Sequence, residues 1–223
     1  MGDEEISRCL REIYRRLIAA YGPQHWWPAD GPFEVMVGAI LTQSAAWHNV
    51  NKAIANLKEA GALSPEAIRC LPLSELALTI RPCGYYNAKA VKLKALAGWF
   101  GSRGDDIKNL FTADTNSLRQ QLLAIHGIGQ ETADSILLYA AGKPVFVIDA
   151  YTRRIISRLG MAPQRDGYDD YQRFFMANLE ADAALFNEYH ALLVKLAKDA
   201  CRKKPLCRRC CLNDICRFYK NEP

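Results

Sequence analysis

The 223-residue chain contains no run of eighteen or more apolar residues, so nothing in it reads as a membrane span. Its first residues, Met1-Gly2-Asp3-Glu4-Glu5-Ile6, are acidic where a secretory signal would be basic, and a cytoplasmic protein is expected. No internal repeat, low-complexity tract or flexible linker is visible, which removes solenoids and loosely tethered modules. Strand signals are nearly missing. Only Pro144-Val145-Phe146-Val147-Ile148 is strand-like, and with no second run to pair with it reads as a buried connection between helices. The eight cysteines are too unevenly placed for a disulfide framework, because Cys201, Cys207, Cys210, Cys211 and Cys216 crowd into one short stretch. In a reducing compartment such crowding points to metal.

What is present is helical. A hydrophobic fraction of 50% over this length can build one domain or two small lobes with a real core. Ile6, Leu10, Ile13, Leu17 and Ile18 keep one face apolar until Gly22-Pro23, and Leu185, Phe186, Tyr189, Leu192, Leu193 and Leu196 form a second stripe. Ser64-Pro65-Glu66 and Ser74-Glu75 read as helix starts. The net charge of +5 is unevenly held: from Lys195 to Lys220 nine Lys/Arg oppose only Asp199 and Asp214, which leaves the rest slightly acidic. A basic tail on a near-neutral body suggests a nucleic-acid contact, and a solvated polar tail is the plainer reading.

The most informative segment is His126-Gly127-Ile128-Gly129, followed twenty residues later by a single acid, Asp149, in Val147-Ile148-Asp149-Ala150-Tyr151. Two glycines beside a helix start let a ligand approach backbone N–H groups that attract an anion. A glycine C-cap joining two helices explains the same residues without a ligand. Asp149 can be the N-cap of a helix from Ala150 to Leu159, and a carboxylate so placed is also suited to face a developing cation. Both readings can hold together.

The pattern Leu122-x-x-Ile125-x-Gly127-Ile128-Gly129-x-x-Thr132-Ala133, followed by Val147-Ile148-Asp149, resembles the helix-hairpin-helix, Gly-Pro-Asp superfamily of base-excision DNA glycosylases, within it the endonuclease III branch. Gly38-Ala39-Ile40-Leu41-Thr42-Gln43 is similar to that branch's early helix, whose Gln fills the gap left by a flipped base, and Gly84-Tyr85-Tyr86-Asn87-Ala88-Lys89-Ala90 to its second wedge segment. The resemblance implies an all-α fold of two helical lobes with DNA in a cleft between them. A six-helix barrel carrying the hairpin would span residues 31–143, and residues 1–30 and 144–223 would form a discontinuous second lobe. Gly127, Ile128 and Gly129, with Thr132 beside them, would hold a phosphate without reading sequence. Gln43, Tyr85, Asn87 and Lys89 would also contact DNA. The implied partner is double-stranded DNA holding a damaged base, bound by a monomer at the nucleoid.

One departure bears on the chemistry. Members of the family that also cut the backbone carry a nucleophilic Lys two residues after the hairpin's last Gly, and this chain has Glu131 there. A carboxylate cannot form the Schiff base that cutting requires. The expectation is a monofunctional glycosylase in which Asp149 stabilises the oxocarbenium-like sugar and orients water once the nucleotide is flipped out. His25-Trp26-Trp27-Pro28 and Trp47 suggest an aromatic slot, with Trp26 or Trp27 on one face of the base and Trp47 on the other; plain core packing is the alternative. A methylated purine with formal positive charge would gain up to about 2 kcal/mol of cation–π energy there. The Trp-Trp-Pro segment resembles the 3-methyladenine glycosylases related to endonuclease III, and Trp26, Trp27, Pro28, Trp47 and Glu131 are the expected base pocket.

Cys201-x5-Cys207-x2-Cys210-x5-Cys216 offers four thiolates. Structural zinc is one reading, although zinc ribbons usually show two Cys-x-x-Cys knuckles. The resemblance implies a [4Fe–4S] cluster on these four, with Cys211 as a substitute for Cys210 and one residue fewer than the family in the first gap. Arg202, Lys203, Lys204, Arg208 and Arg209 lie in the loops it would hold rigid and could meet phosphates. Two competing functions stand beside this reading: a bifunctional glycosylase/lyase acting on oxidised pyrimidines, and a non-catalytic, metal-bound module that senses damaged DNA.

Overall fold

A computed structural model describes residues 2–221. Among them are thirteen α-helices and no strand: α1 (Asp3–Tyr21), α2 (Pro32–Leu41), α3 (Trp47–Glu59), α4 (Pro65–Cys70), α5 (Leu73–Thr79), α6 (Tyr86–Gly101), α7 (Ile107–Thr112), α8 (Thr115–Leu123), α9 (Gln130–Ser135), α10 (Ala150–Leu159), α11 (Tyr168–Asn178), α12 (Ala183–Asp199) and α13 (Arg217–Lys220). The chain divides into two compact units. One is Trp27–Lys143, and the other joins the residues up to Trp26 with those from Pro144 onward.

In the discontinuous unit, α1 begins with Asp3, Glu4 and Glu5, acids that suit a helix N-terminus, and buries Leu10, Ile13 and Leu17 along one face. Two hydrogen bonds tie it to later helices: Ser7 Oγ donates to Asn178 O at 2.6 Å and Tyr189 Oη donates to Leu10 O at 2.9 Å. The core is aromatic. Phe146 stacks on Phe175 at 3.9 Å, and Phe186 and Tyr189 meet Phe146 edge-on. Each such buried ring stabilises by about 1.5–3 kcal/mol. Phe146 belongs to the strand-like stretch, which runs as a buried connection: Val145 through Ile148 are all buried, and Gln172 Nε2 donates to Phe146 O at 2.8 Å.

In the continuous unit, α2 is apolar apart from Glu34 in its first turn and every residue from Val35 to Leu41 is buried, so the other helices can pack against several of its faces. Local caps set the boundaries. Ser64 accepts from Ala67 N as expected, and Asp106 and Asp114 cap α7 and α8 in the same way. Ser74 does not cap: α5 starts one residue earlier, behind Pro72, whose ring fixes the turn. After α9 the chain widens into a π turn over Ile136–Ala140.

Across the turn between α8 and α9, Arg119 grips Asp134 with two parallel hydrogen bonds, Nε to Oδ1 at 2.7 Å and Nη2 to Oδ2 at 3.1 Å. The Asp134 carboxylate has no exposed surface at all. Arg119→Met should therefore cost about 3–5 kcal/mol, because it strands a buried charge, whereas Arg119→Met with Asp134→Leu should be close to neutral. Urea unfolding of both variants checks this; equal losses would refute it.

Candidate functional site

The sequence-predicted hairpin is present. Gly127 has φ +81°, a left-handed conformation that favours glycine, and a Cβ there would be driven into the Lys92 stem. Ile128 is buried as an apolar plug, and Gly129 is exposed at the start of α9 with open space beside it. The turn thus offers a place where another molecule's backbone can approach closely.

Gln43 is bound to this hairpin. Its Nε2 donates to Gly127 O at 3.1 Å and to Thr132 Oγ1 at 3.0 Å, while its Oε1 accepts from Lys92 Nζ at 2.5 Å. Three expected site residues, Gln43, Gly127 and Thr132, are thereby brought together, but Thr132 is buried and holds Gln43 where a DNA contact had been expected. Lys92 was missed. Its signal was helical spacing: it stands three residues after Lys89 on α6.

Lys89 corrects another expectation. It is 2% exposed, and its Nζ donates to Leu41 O at 2.8 Å and Cys83 O at 2.9 Å, so it offers DNA nothing. Burial lowers its pKa from the ordinary lysine value. Its work is internal: it ties the end of α2, which leads into Gln43, to the turn that leads into Tyr85. Tyr85 is 75% exposed and has φ +47°, a costly conformation for a bulky side chain. Ser44 beside Gln43 and His25 beside Trp26 also have positive φ. Strain gathered beside three sequence-singled segments motivates a functional reading of them. Asn87 is exposed next to Tyr85.

The aromatic slot takes a different form from the expected one. Trp27 and Trp47 meet edge to face at 5.2 Å with an interplanar angle of 84°, so no base fits between them. Tyr139, from the π turn, adds a third ring 5.4 Å from Trp27. Gly38 makes the arrangement possible, because a Cβ there would reach the Trp27 ring at 3.0 Å. Trp27 and Trp47 are half-buried, as is Trp26, and Pro28 is exposed. Glu131 is exposed on the first turn of α9.

In the discontinuous unit Asp149 caps α10, its Oδ1 accepting from Thr152 N at 2.7 Å. Val147 and Ile148 anchor it from the buried side, each about 1% exposed. The His190 Nε2 lies 3.8 Å from Asp149 Oδ2. Burial lowers the His190 pKa, and the Asp149 charge works in the opposite direction.

None of the eight cysteines forms a disulfide. Cys201, Cys207, Cys210 and Cys216 line one small cavity, whereas Cys211 is absent from its wall and has Arg16, Asp199 and Asp214 as its charged neighbours. Burial pushes the Cys210 thiol up to about 11. Among the described residues no three His, Cys, Asp or Glu side chains are gathered tightly enough to hold a single metal ion. Arg158 braces the wall, with Nη1 donating to Cys201 Sγ at 3.3 Å and to Arg202 O at 2.7 Å. Arg202, Lys203, Lys204, Arg208 and Arg209 are all exposed. No helix among the described residues is long and apolar enough to cross a membrane.

Residues 37–181 match the family model described as HhH-GPD superfamily base excision DNA repair protein. The chain is 44% identical to "Putative DNA repair glycosylase MJ1434" of Methanocaldococcus jannaschii, over 96% of this chain and 98% of that protein. It is 32% identical to the solved H. pylori 3-methyladenine DNA glycosylase bound to 1,N6-ethenoadenine, with a TM-score of 0.72 over 89% of this chain and 98% of that one. A trapped endonuclease III–DNA covalent intermediate shares the fold at a TM-score of 0.80 and 24% identity, over 99% of this chain and 98% of that one.

Because Tyr85 packs little and its backbone is strained by about 1–2 kcal/mol, Tyr85→Gly should leave stability unchanged or raise it by up to about 1 kcal/mol after glycine's entropy cost. The same variant should bind damaged duplex more weakly. A urea midpoint that falls, or an affinity that holds, would contradict the reading of Tyr85 as a strained surface wedge.

Proposed function

Because the chain belongs to the HhH-GPD superfamily of base excision DNA repair proteins and is a DNA repair glycosylase, we propose that it is monofunctional. On this reading it hydrolyses the N-glycosidic bond of a flipped base and leaves the backbone uncut. The observation that carries the proposal is Glu131 on the first turn of α9, in the place where the resemblance calls for a nucleophilic lysine. With no amine there, the chemistry falls to water and to Asp149, whose carboxylate is fixed at one oxygen by the helix it caps.

In the proposed reaction the C1′–N bond breaks and its electron pair leaves with the base. Asp149 faces the positive charge that grows on the sugar and takes the proton of the water whose oxygen adds to C1′. The favoured substrate is an alkylated purine such as 3-methyladenine. A cationic base accepts the departing pair and becomes neutral, so no general acid is needed. Two observations support this substrate: the aromatic cluster of Trp27, Trp47 and Tyr139, and the likeness to a 3-methyladenine glycosylase. Since Trp27 and Trp47 touch, the base would stack against a ring face of the cluster instead of between the two indoles. There a ring face attracts a desolvated cation by up to about 2 kcal/mol.

A [4Fe–4S] cluster fits the tail on the chemistry of the donors: four cysteines outside any disulfide line one cavity, and the fifth nearby cysteine, Cys211, is absent from its wall. Cys201, Cys207, Cys210 and Cys216 would hold it. Bound there, it would supply a rigid cross-link for loops whose own apolar burial is small. Arg202, Lys203, Lys204, Arg208 and Arg209 would then stand out toward phosphates.

Incubation with duplexes holding methylated purines, uracil, oxidised pyrimidines or mismatched adenine, followed by identification of the free base, tests the substrate. Methylpurine release without strand cleavage is expected. Asp149→Asn should slow single-turnover release by about 10²–10³-fold with DNA binding kept. Equal rates would sink the mechanism, and a borohydride-trapped covalent adduct would show a lyase instead. Purified protein should carry iron and acid-labile sulfide, and loss of both on Cys210→Ala but not on Cys211→Ala would identify the ligand; stoichiometric zinc would refute the cluster.

A further inference from the structure

Asp149 is held at one oxygen only. Thr152 N fixes Oδ1, and Oδ2 is left to face His190 Nε2 at 3.8 Å. That gap is too long for a hydrogen bond of about 2.7–3.2 Å. It is also shorter than the span of more than about 4 Å that a bridging water gives, since such a water's two bonds meet at roughly a tetrahedral angle. A shift of less than about 1 Å would close it, and hydrogen bonds at reacting groups are commonly long in a free enzyme and tighten when substrate arrives.

His190 is a buried polar residue in a helix face that is otherwise apolar or aromatic. It sits inside α12 between Tyr189 and Ala191, with Leu192 and Leu193 following, and all five residues are buried. An imidazole only 7% exposed among apolar neighbours is costly unless its polar atoms are used.

Resting on the glycosylase reading above, we propose that His190 is the positioning residue for Asp149: its Nε2–H closes on Oδ2 and fixes the second oxygen, so that the carboxylate faces C1′ in one orientation. A neutral donor suits this task better than a cation would. Burial keeps His190 below the ordinary histidine range, so it aligns the carboxylate without cancelling the charge the sugar needs. A lysine or arginine there would do the opposite.

The test compares wild type, Asp149→Asn, His190→Gln and His190→Leu on the base that wild type releases, measuring DNA affinity and single-turnover rate separately. Gln carries an amide N–H near the Nε2 position, and Leu keeps bulk without a donor. His190→Leu should bind DNA as wild type does and release base on the order of 10–100-fold more slowly, as for other residues that orient a reacting group. His190→Gln should recover most of the loss. If His190→Leu matches wild type, or Gln and Leu are slowed alike, the proposal is overturned. If Asp149→Asn also matches wild type, it is the underlying mechanism that has failed. Should the variants not fold, histidine ¹⁵N shifts in the unsubstituted protein decide: a neutral ring protonated at Nε2 supports the proposal, and one protonated at Nδ1 overturns it.

Discussion

The Arg119–Asp134 pair fixes the turn on which the continuous unit's surface features rest. A carboxylate with no exposed surface must be fully partnered, and the arginine fork meets both of its oxygens. Because one partner precedes the turn and the other follows it, α8 and α9 cannot separate without exposing that charge. The turn in turn holds Gly127 O and Thr132 Oγ1 where Gln43 reaches both. Lys92 closes the far side of Gln43, and Lys89 ties the end of α2 to the turn before Tyr85. Three cations thus face inward and organise loops, and the tail's basic residues face outward.

The helical class, the hairpin and the cap at Asp149 were legible because each is local. Glycines beside a helix start and an acid before a helix are signalled within a few residues. The buried run of Val145 to Ile148 was legible from its apolar residues and its lack of a partner strand. Lys89 was misread for the opposite reason. Its burial depends on a carbonyl oxygen at the end of α2, 48 residues away, and on another in the turn just before α6, and nothing within α6 announces that a lysine will point inward. The closed Trp27–Trp47 pair was hidden likewise, since a glycine on α2 and a widened turn far along the chain set the ring angles.

In the discontinuous unit the division of labour is different. Asp149 stands at the junction of a buried extended segment and a helix, so its backbone is fixed from one side by apolar packing and from the other by its own cap. The tail has little of either. Its short turns bury almost nothing apart from Leu212, and Arg158 and Arg154 hold its first loop through backbone oxygens and the Cys201 thiol. Order there comes from polar and sulfur contacts, which makes the tail's geometry answer to the chemistry of its four inward thiols.

The π turn at Ile136–Ala140 holds one residue more than an α-helical turn would. Each residue of a helix rotates the next by about 100°, so removing one residue ahead of Tyr139 would restore regular helix and swing Tyr139 away from Trp27 while leaving the rings themselves chemically intact. The ring that completes the aromatic cluster is placed by chain length as much as by residue type. Descendants of this gene could reshape that cluster by gaining or losing a single codon, with no substitution among its three rings.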